Sequence, residues 1–347
     1  TEPRRRRRGV TLMVGRVESI AAAICLTVFA GGLIAMSCTL SSNEASQNGL
    51  KVTRSFPSGH HHADAASPKD GDPDHSLGGA KELVVASMNI AACQPSQSAP
   101  PGWNESNSTA ALRGILLGLD ADVIALQECP GGARWARDHF PGYRVLGATY
   151  SHADQVILLV RDGLKSPSAP SGERAVTGLP AVIAELELGS RNSLLVASVH
   201  LEPFERGDRK RQSQMRSLLD IADSKSSPIL ILGDTNMRDT EDEAMEDELG
   251  LQDIWKLAGQ RDESRFTWDT MDHRNEIGGV FNRYYGSGTR QYQRRYDRMY
   301  FHGADKAKME GKPTFELIAN HPMTSNLDFL SDHFGMTSRF SLSFLSE

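Results

Sequence analysis

Ile229-Leu230-Ile231-Leu232-Gly233-Asp234-Thr235-Asn236-Met237-Arg238-Asp239 is the stretch on which the fold turns. Residues 229–232 are all apolar, without polar alternation, and predict a fully buried strand. Gly233 ends the run. Asp234 and Asn236 follow two apart, a spacing that puts both side chains on one side of an extended chain. A carboxylate and a carboxamide are thus aimed together from a rigid strand end. The carboxylate can accept a proton or help bind a hard cation, and the amide can hold a water or a phosphate oxygen. Arg238, two further on, adds a fixed positive charge that suits a phosphate. Gly, Asp and Asn are also ordinary turn residues, so the rest of the chain has to decide between a site and a turn.

Composition sets broad limits. With 347 residues, 39% hydrophobic and 24% charged, most of the chain suits one large globular domain. The net charge of −6 gives no global pull toward nucleic acid, so any such contact needs a local basic patch. Of the four cysteines, Cys25 and Cys38 fall in an N-terminal apolar stretch, and Cys93 and Cys129 in the globular part. This is no disulfide framework, and a reduced compartment is the simpler reading.

Residues 4–8 are five arginines, and 20–42 carry no charge. A basic run before an apolar stretch predicts a signal peptide, a membrane anchor or an organelle-targeting segment over 1–42, with membrane association through 20–42. Residues 43–80, rich in Ser, Gly, Pro, Asp and His, predict a disordered linker. His60-His61-His62 within it reads as a solvated loop. The folded domain is expected over 81–347.

Within it, apolar runs predict strands at 82–90, 122–128, 156–160, 181–188, 194–199 and 336–340. Helices are expected at 108–119, with Ser108 as N-cap, and at 209–223. A long variable stretch follows residue 128. The six acidic residues in 241–248 predict a solvated loop or helix start. Residues 283–300 interleave Arg283, Arg290, Arg294, Arg295 and Arg298 with Tyr284, Tyr285, Tyr292, Tyr296 and Tyr300. Basic residues among aromatics suit a nucleic-acid backbone and base stacking. Short strands mixed with a few helices predict an α/β sandwich.

Polar residues of hard-ligand or acid–base type recur at the ends of apolar strands: Asn89, Glu128, His200, Asp234 with Asn236, and Asp332-His333. The stretches ending in Asn89, Leu126-Gln127-Glu128, Val199-His200-Leu201-Glu202, Gly233-Asp234-Thr235-Asn236 and Ser331-Asp332-His333 resemble the endonuclease/exonuclease/phosphatase family, in that family's order. The resemblance implies a four-layer α/β sandwich, two packed mixed sheets flanked by helices, with the site at one edge. It implies a phosphodiesterase using Mg²⁺, with Mn²⁺ as a substitute. Glu128 would be the metal ligand, and Asn89 would position phosphate or water. Asp234 would activate the attacking water and Asn236 hold it. His200 and His333 would donate to phosphoryl oxygens, with Asp297 orienting His333.

Three stretches, Gly233–Asp239, Thr267-Trp268-Asp269-Thr270 and Arg295–Phe301, look most like family members that release tyrosine from 5′-tyrosyl-DNA during repair. A monomeric catalytic domain, a single-stranded DNA end and a nuclear location are then implied, the last at odds with the N-terminal segment. Arg238, Arg211 and Trp268 become candidates for gripping the substrate. One departure stands out: Ser87-Met88-Asn89 replaces the Thr-Trp-Asn usual in those members. A sphingomyelinase-like or phosphoinositide-directed enzyme at a membrane, and a non-catalytic binding protein, are the competing readings.

Overall fold

A computed structural model describes residues 81–95, 99–151, 154–166, 174–175, 179–189, 192–269, 293–323 and 329–345. The expected targeting segment, linker and His60–His62 lie outside these residues, as do Arg283, Arg290, Tyr284, Tyr285 and Tyr292. In chain order the first strands are β1 (Lys81–Asn89), β2 (Val123–Cys129), β3 (Tyr143–Ser151), β4 (Asp154–Arg161), β5 (Arg174–Ala175), β6 (Ala181–Glu187), β7 (Ser193–His200) and β8 (Ile229–Asp234). There follow β9 (Gln252–Asp253), β10 (Trp268–Asp269), β11 (Gln293–Arg294), β12 (Asp297–His302), β13 (Ala307–Glu310), β14 (Glu316–Ile318) and β15 (Gly335–Phe344). The helices are α1 (Glu105–Gly118), α2 (Gly132–His139), α3 (Asp208–Ser224), α4 (Asp239–Leu249) and the single turn α5 (Ile254–Leu257).

Two sheets result. One runs β13-β15-β1-β2-β4-β3, with β14 also on β15; the other runs β5-β6-β7-β8-β12-β9. Each is mixed: β1–β2 and β7–β8 are parallel, and the other pairs are antiparallel. Side chains that alternate along each strand sort into separate cores. Leu83, Val85, Val123 and Ala125 of the first sheet meet Val196, Leu230, Leu232, Met299 and Phe301 of the second. The opposite faces carry Met88, Ile124 and Leu126 against Leu112 and Leu116 of α1, and Ile229, Ile231 and Val199 against Met215, Leu218 and Ala222 of α3. The layers are therefore helix, sheet, sheet, helix, as expected. Strand β8 reads as an unbroken apolar run because both its faces are covered. Burying one such Leu or Ile contributes about 1.5–3 kcal/mol.

Boundaries differ where local side chains intervene. α1 begins at Glu105, since Asn104 caps it: its Oδ1 accepts from Asn107 N (3.2 Å), and Asn107 Oδ1 accepts from Asn104 N (3.0 Å). Ser108, expected as the cap, is buried and accepts from Trp103 Nε1 at 2.9 Å. The acidic run 241–248 is helical throughout, in α4, with Asp242 and Met245 turned inward. The variable stretch holds α2 and the edge strand β3, whose pairing with β4 shifts register between Val145 and Gly147. No helix among the described residues is long and apolar enough to cross a membrane.

Register brings the polar strand ends together. His200 lies beside Asp234, and Asp234 beside Asp297, at one end of the second sheet. In the first sheet Asn89 lies beside Gln127, one residue before Glu128. Beneath them Gln127 Nε2 donates across the seam to Ser198 Oγ (3.2 Å). Gly233, at φ +144°, lets the strands close here: a Cβ would lie inside contact distance of the Val199 carbonyl oxygen.

Candidate active site

Asn89 is the pivot. Its Nδ2 donates to Glu128 Oε1 at 3.0 Å and to Asp234 Oδ2 at 3.1 Å, and its Oδ1 accepts from Ala91 N at 3.1 Å. A carboxamide nitrogen has two hydrogens, and both are spent on carboxylates. Asn89 thereby ties the two sheets' carboxylates to each other. Ser331 supports it from below, donating to the Asn89 carbonyl (2.8 Å) while accepting from His333 N (3.1 Å).

Two imidazoles face the same carboxylate. His200 Nε2 lies 3.6 Å and His333 Nε2 3.7 Å from Asp234 Oδ2, and His200 Nε2 is 3.9 Å from Glu128 Oε1. His333 Nδ1 is 2.8 Å from Asp297 Oδ2, which fixes the ring so that Nε2 points toward Asp234. Asp297 serves His333, while its neighbours Arg295 and Arg298 pair elsewhere. Its backbone N donates to Thr267 Oγ1 at 3.0 Å. Asn236, at φ +53°, donates its backbone N to Asp234 Oδ1 (2.9 Å) and its Nδ2 to the Leu201 carbonyl (3.2 Å).

Charge follows from these contacts. Burial would raise the Asp234 carboxyl, but His333, His200, Asn89 and the Asn236 amide outweigh it and hold it below the usual range. Burial would lower His333, yet the Asp297 and Asp234 carboxylates hold it well above an ordinary imidazole. Burial raises Asp297, reinforced by Asp234 and opposed by His333. The Asp297–His333 pair therefore retains a proton beside an ionised Asp234. Burial also raises Glu128, against the pull of Asn89 and His200.

These groups fit a hard divalent cation. Among the described carboxylates of this cluster, Glu128 reaches solvent, with 31% of its side chain exposed against 2% for Asp234. Burial raises its carboxyl, and a bound cation would favour the ionised form. The donors are oxygens, as Mg²⁺ and Mn²⁺ prefer. Asp234, Asp297 and His333 also sit close enough to share an ion, but all three are buried and already bound to one another.

The remaining candidates divide. Trp268 packs edge-on against His333 (4.9 Å between ring centroids) and Tyr296 (5.8 Å). The Arg238 guanidinium lies over the Tyr296 ring at 5.2 Å and bonds the Asn236 carbonyl. Both line the site. Arg211 does not: it is fully buried. Its Nε and Nη2 bond Glu241 at 2.9 and 2.7 Å, and its Nη1 bonds the carbonyls of Glu202 (2.8 Å) and Phe204 (2.7 Å). With four of its five N–H donors engaged and the side chain fully buried, Arg211 is an internal brace. Arg295 and Arg298, expected in a basic patch, are also buried, paired with Asp253 and Asp242. Sequence reasoning missed Ser331 and Thr267 as supports and Tyr296 as the plane under Arg238. Ser331 and Thr267 stood inside the quoted motifs, but nothing local showed which partner each would meet.

The sequence profile of the Endonuclease/Exonuclease/phosphatase family matches residues 86–333, from β1 to the second imidazole. The chain belongs to the endonuclease/exonuclease/phosphatase family. Enzymes of this family are generally divalent-metal dependent. Among relatives, Tyrosyl-DNA phosphodiesterase 2 of Xenopus laevis is 26% identical over 256 residues, 70% of this chain and 64% of that protein. The 5′-tyrosyl-DNA phosphodiesterase of Caenorhabditis elegans is 30% identical over 164 residues, 46% of this chain and 40% of that protein. The matches thus span less than two thirds of these relatives' lengths. Truncated TDP2 from C. elegans superposes with a TM-score of 0.54 at 22% identity, covering 75% of this chain and 97% of that one. D. rerio TDP2 complexed with single strand DNA product gives 0.54 at 20%, covering 75% and 98%. At these identities the two structures show the family fold.

Proposed function

We propose that the chain is a phosphodiesterase that uses Mg²⁺ to hydrolyse 5′-tyrosyl-DNA, leaving a 5′-phosphate and free tyrosine. The observation that carries the chemistry is the run Asp297–His333–Asp234–Asn89–Glu128, buried up to the solvent-facing Glu128, which spans the seam between the sheets. The substrate assignment draws on the names of the relatives, and on the single-strand DNA product held by the D. rerio neighbour.

Asp234 Oδ2, ionised and faced by two imidazoles, takes the proton of the attacking water. The water oxygen then bonds phosphorus as the bond to the tyrosyl oxygen breaks. His200 and His333, aimed by Nε2, donate to the phosphoryl oxygens as charge develops there. Asn236 holds the base in place through its backbone N–H. A bound Mg²⁺, held through Glu128, supplies charge neutralisation at the phosphoryl group. The phenol leaves with a pKa of about 10 and needs little protonation. Trp268, Tyr296 and Arg238 form an aromatic and cationic wall suited to an aryl phosphodiester.

The test is a substrate panel. The purified chain is given 5′-tyrosyl single-stranded DNA, an abasic duplex, sphingomyelin and a phosphoinositide, each with Mg²⁺ or with chelator. Turnover is expected on tyrosyl DNA alone, lost in chelator and largely lost in Glu128→Gln. Faster turnover of either lipid would transfer the assignment to a membrane phosphodiester, and undiminished rates in chelator would remove the metal.

A further inference from the structure

Phe204 has no part in the chemistry above. Its side chain is 76% exposed, more than the other large hydrophobic residues of the described structure. Its backbone, at φ 67° and ψ 158°, occupies a region that glycine normally holds. That conformation is enforced: the Phe204 carbonyl accepts from the buried Arg211 at 2.7 Å and from Gly207 N at 3.1 Å. Arg211 is itself clamped by both carboxylate oxygens of Glu241 on α4. The same loop is tied to the site through Asn236 Nδ2 and the Leu201 carbonyl, one residue after His200. Two helices are thus used to hold an aromatic ring in water, four residues beyond a catalytic imidazole.

The ring borders an open cleft of about 480 Å³, which Arg206 and Lys210 also line. A lipid surface or a protein partner would call for a wider apolar patch. Here the ring's neighbours include the charged Glu202, Glu205, Arg206 and Lys210. One flat ring beside Arg206 and Lys210, the latter paired with Glu202, suits an unpaired base with its phosphate. We infer that Phe204 is a platform on which a nucleobase of the single-stranded substrate stacks, on the His200 side of the site. This specificity role rests on the phosphodiesterase reading.

The test uses the full chain with Phe204→Gly, which removes the ring while accepting the same backbone, and with Phe204→Trp. Binding is read by fluorescence anisotropy to a 5′-phosphorylated single-stranded oligodeoxynucleotide, and to the same strand made abasic at its first 5′ positions. Phe204→Gly should weaken binding to the base-bearing strand roughly 5- to 100-fold, Phe204→Trp should restore it, and the abasic strand should bind both proteins alike. Equal weakening on both strands, no weakening on either, or no binding by the wild type overturns the platform. Wild type that binds as expected yet leaves tyrosyl DNA uncut would sink the activity reading and keep the platform.

Discussion

At the scale of single residues, Asp297 is the most informative position. It is buried and touches His333, while the reacting phosphate would lie on the far side of the ring. Asp297→Asn keeps the shape and removes the charge that holds the proton on His333. It also relieves repulsion between two buried carboxylates, since Asp234 raises Asp297. Turnover on tyrosyl DNA should fall by about 10²-fold or more, with the Michaelis constant and melting temperature nearly unchanged. A variant that loses stability in step with rate would show that Asp297 is a structural partner instead.

At the scale of elements, the loop between β7 and α3 depends on Arg211. Arg211→Met should cost about 3 kcal/mol, because it leaves the Glu241 carboxylate and two carbonyls without their donor. Urea unfolding measures this directly. Unchanged stability with a raised Michaelis constant would return Arg211 to the phosphate-gripping role that its sequence position suggested. Its misreading has a physical cause. The resemblance made Arg211 a candidate, but its partner Glu241 lies thirty residues away, a pairing that no local pattern encodes. Arg295 and Arg298 were misplaced for the same reason. Asn89, Glu128, His200 and Asp234 were legible because each apolar run of β1, β2, β7 and β8 stops where a polar side chain begins, whereas His333 lies in the loop before β15. Edge strand β3 carries no such signature. The start of α1 was set by a reciprocal Asn104–Asn107 cap that competes with Ser108.

At the scale of the whole molecule, the second sheet and α4 are joined by a buried charge cluster. Burial alone would raise the Asp242 carboxyl, but Arg298 and Arg295, with the Tyr300 hydroxyl, hold it below the usual range. Its folded value lies under its unfolded one, near 3.8. Its stabilisation is therefore fully present above about pH 4 and lost as pH falls through the folded value. Asp242→Asn should cost about 3 kcal/mol at pH 7 by leaving Arg298 buried and unpaired. Melting temperatures from pH 7 to 2.5 should show the gap between wild type and variant narrowing below pH 4. A gap that stays constant would mean that the cluster is held by packing.

Gly233 carries a consequence for inheritance. The next smallest residue, alanine, already adds the atom that would collide with the Val199 carbonyl oxygen. Every missense change at this codon therefore pushes β7 and β8 apart where His200 and Asp234 lie side by side. A library randomised at position 233 and selected for activity should return glycine, however freely the loops around it drift.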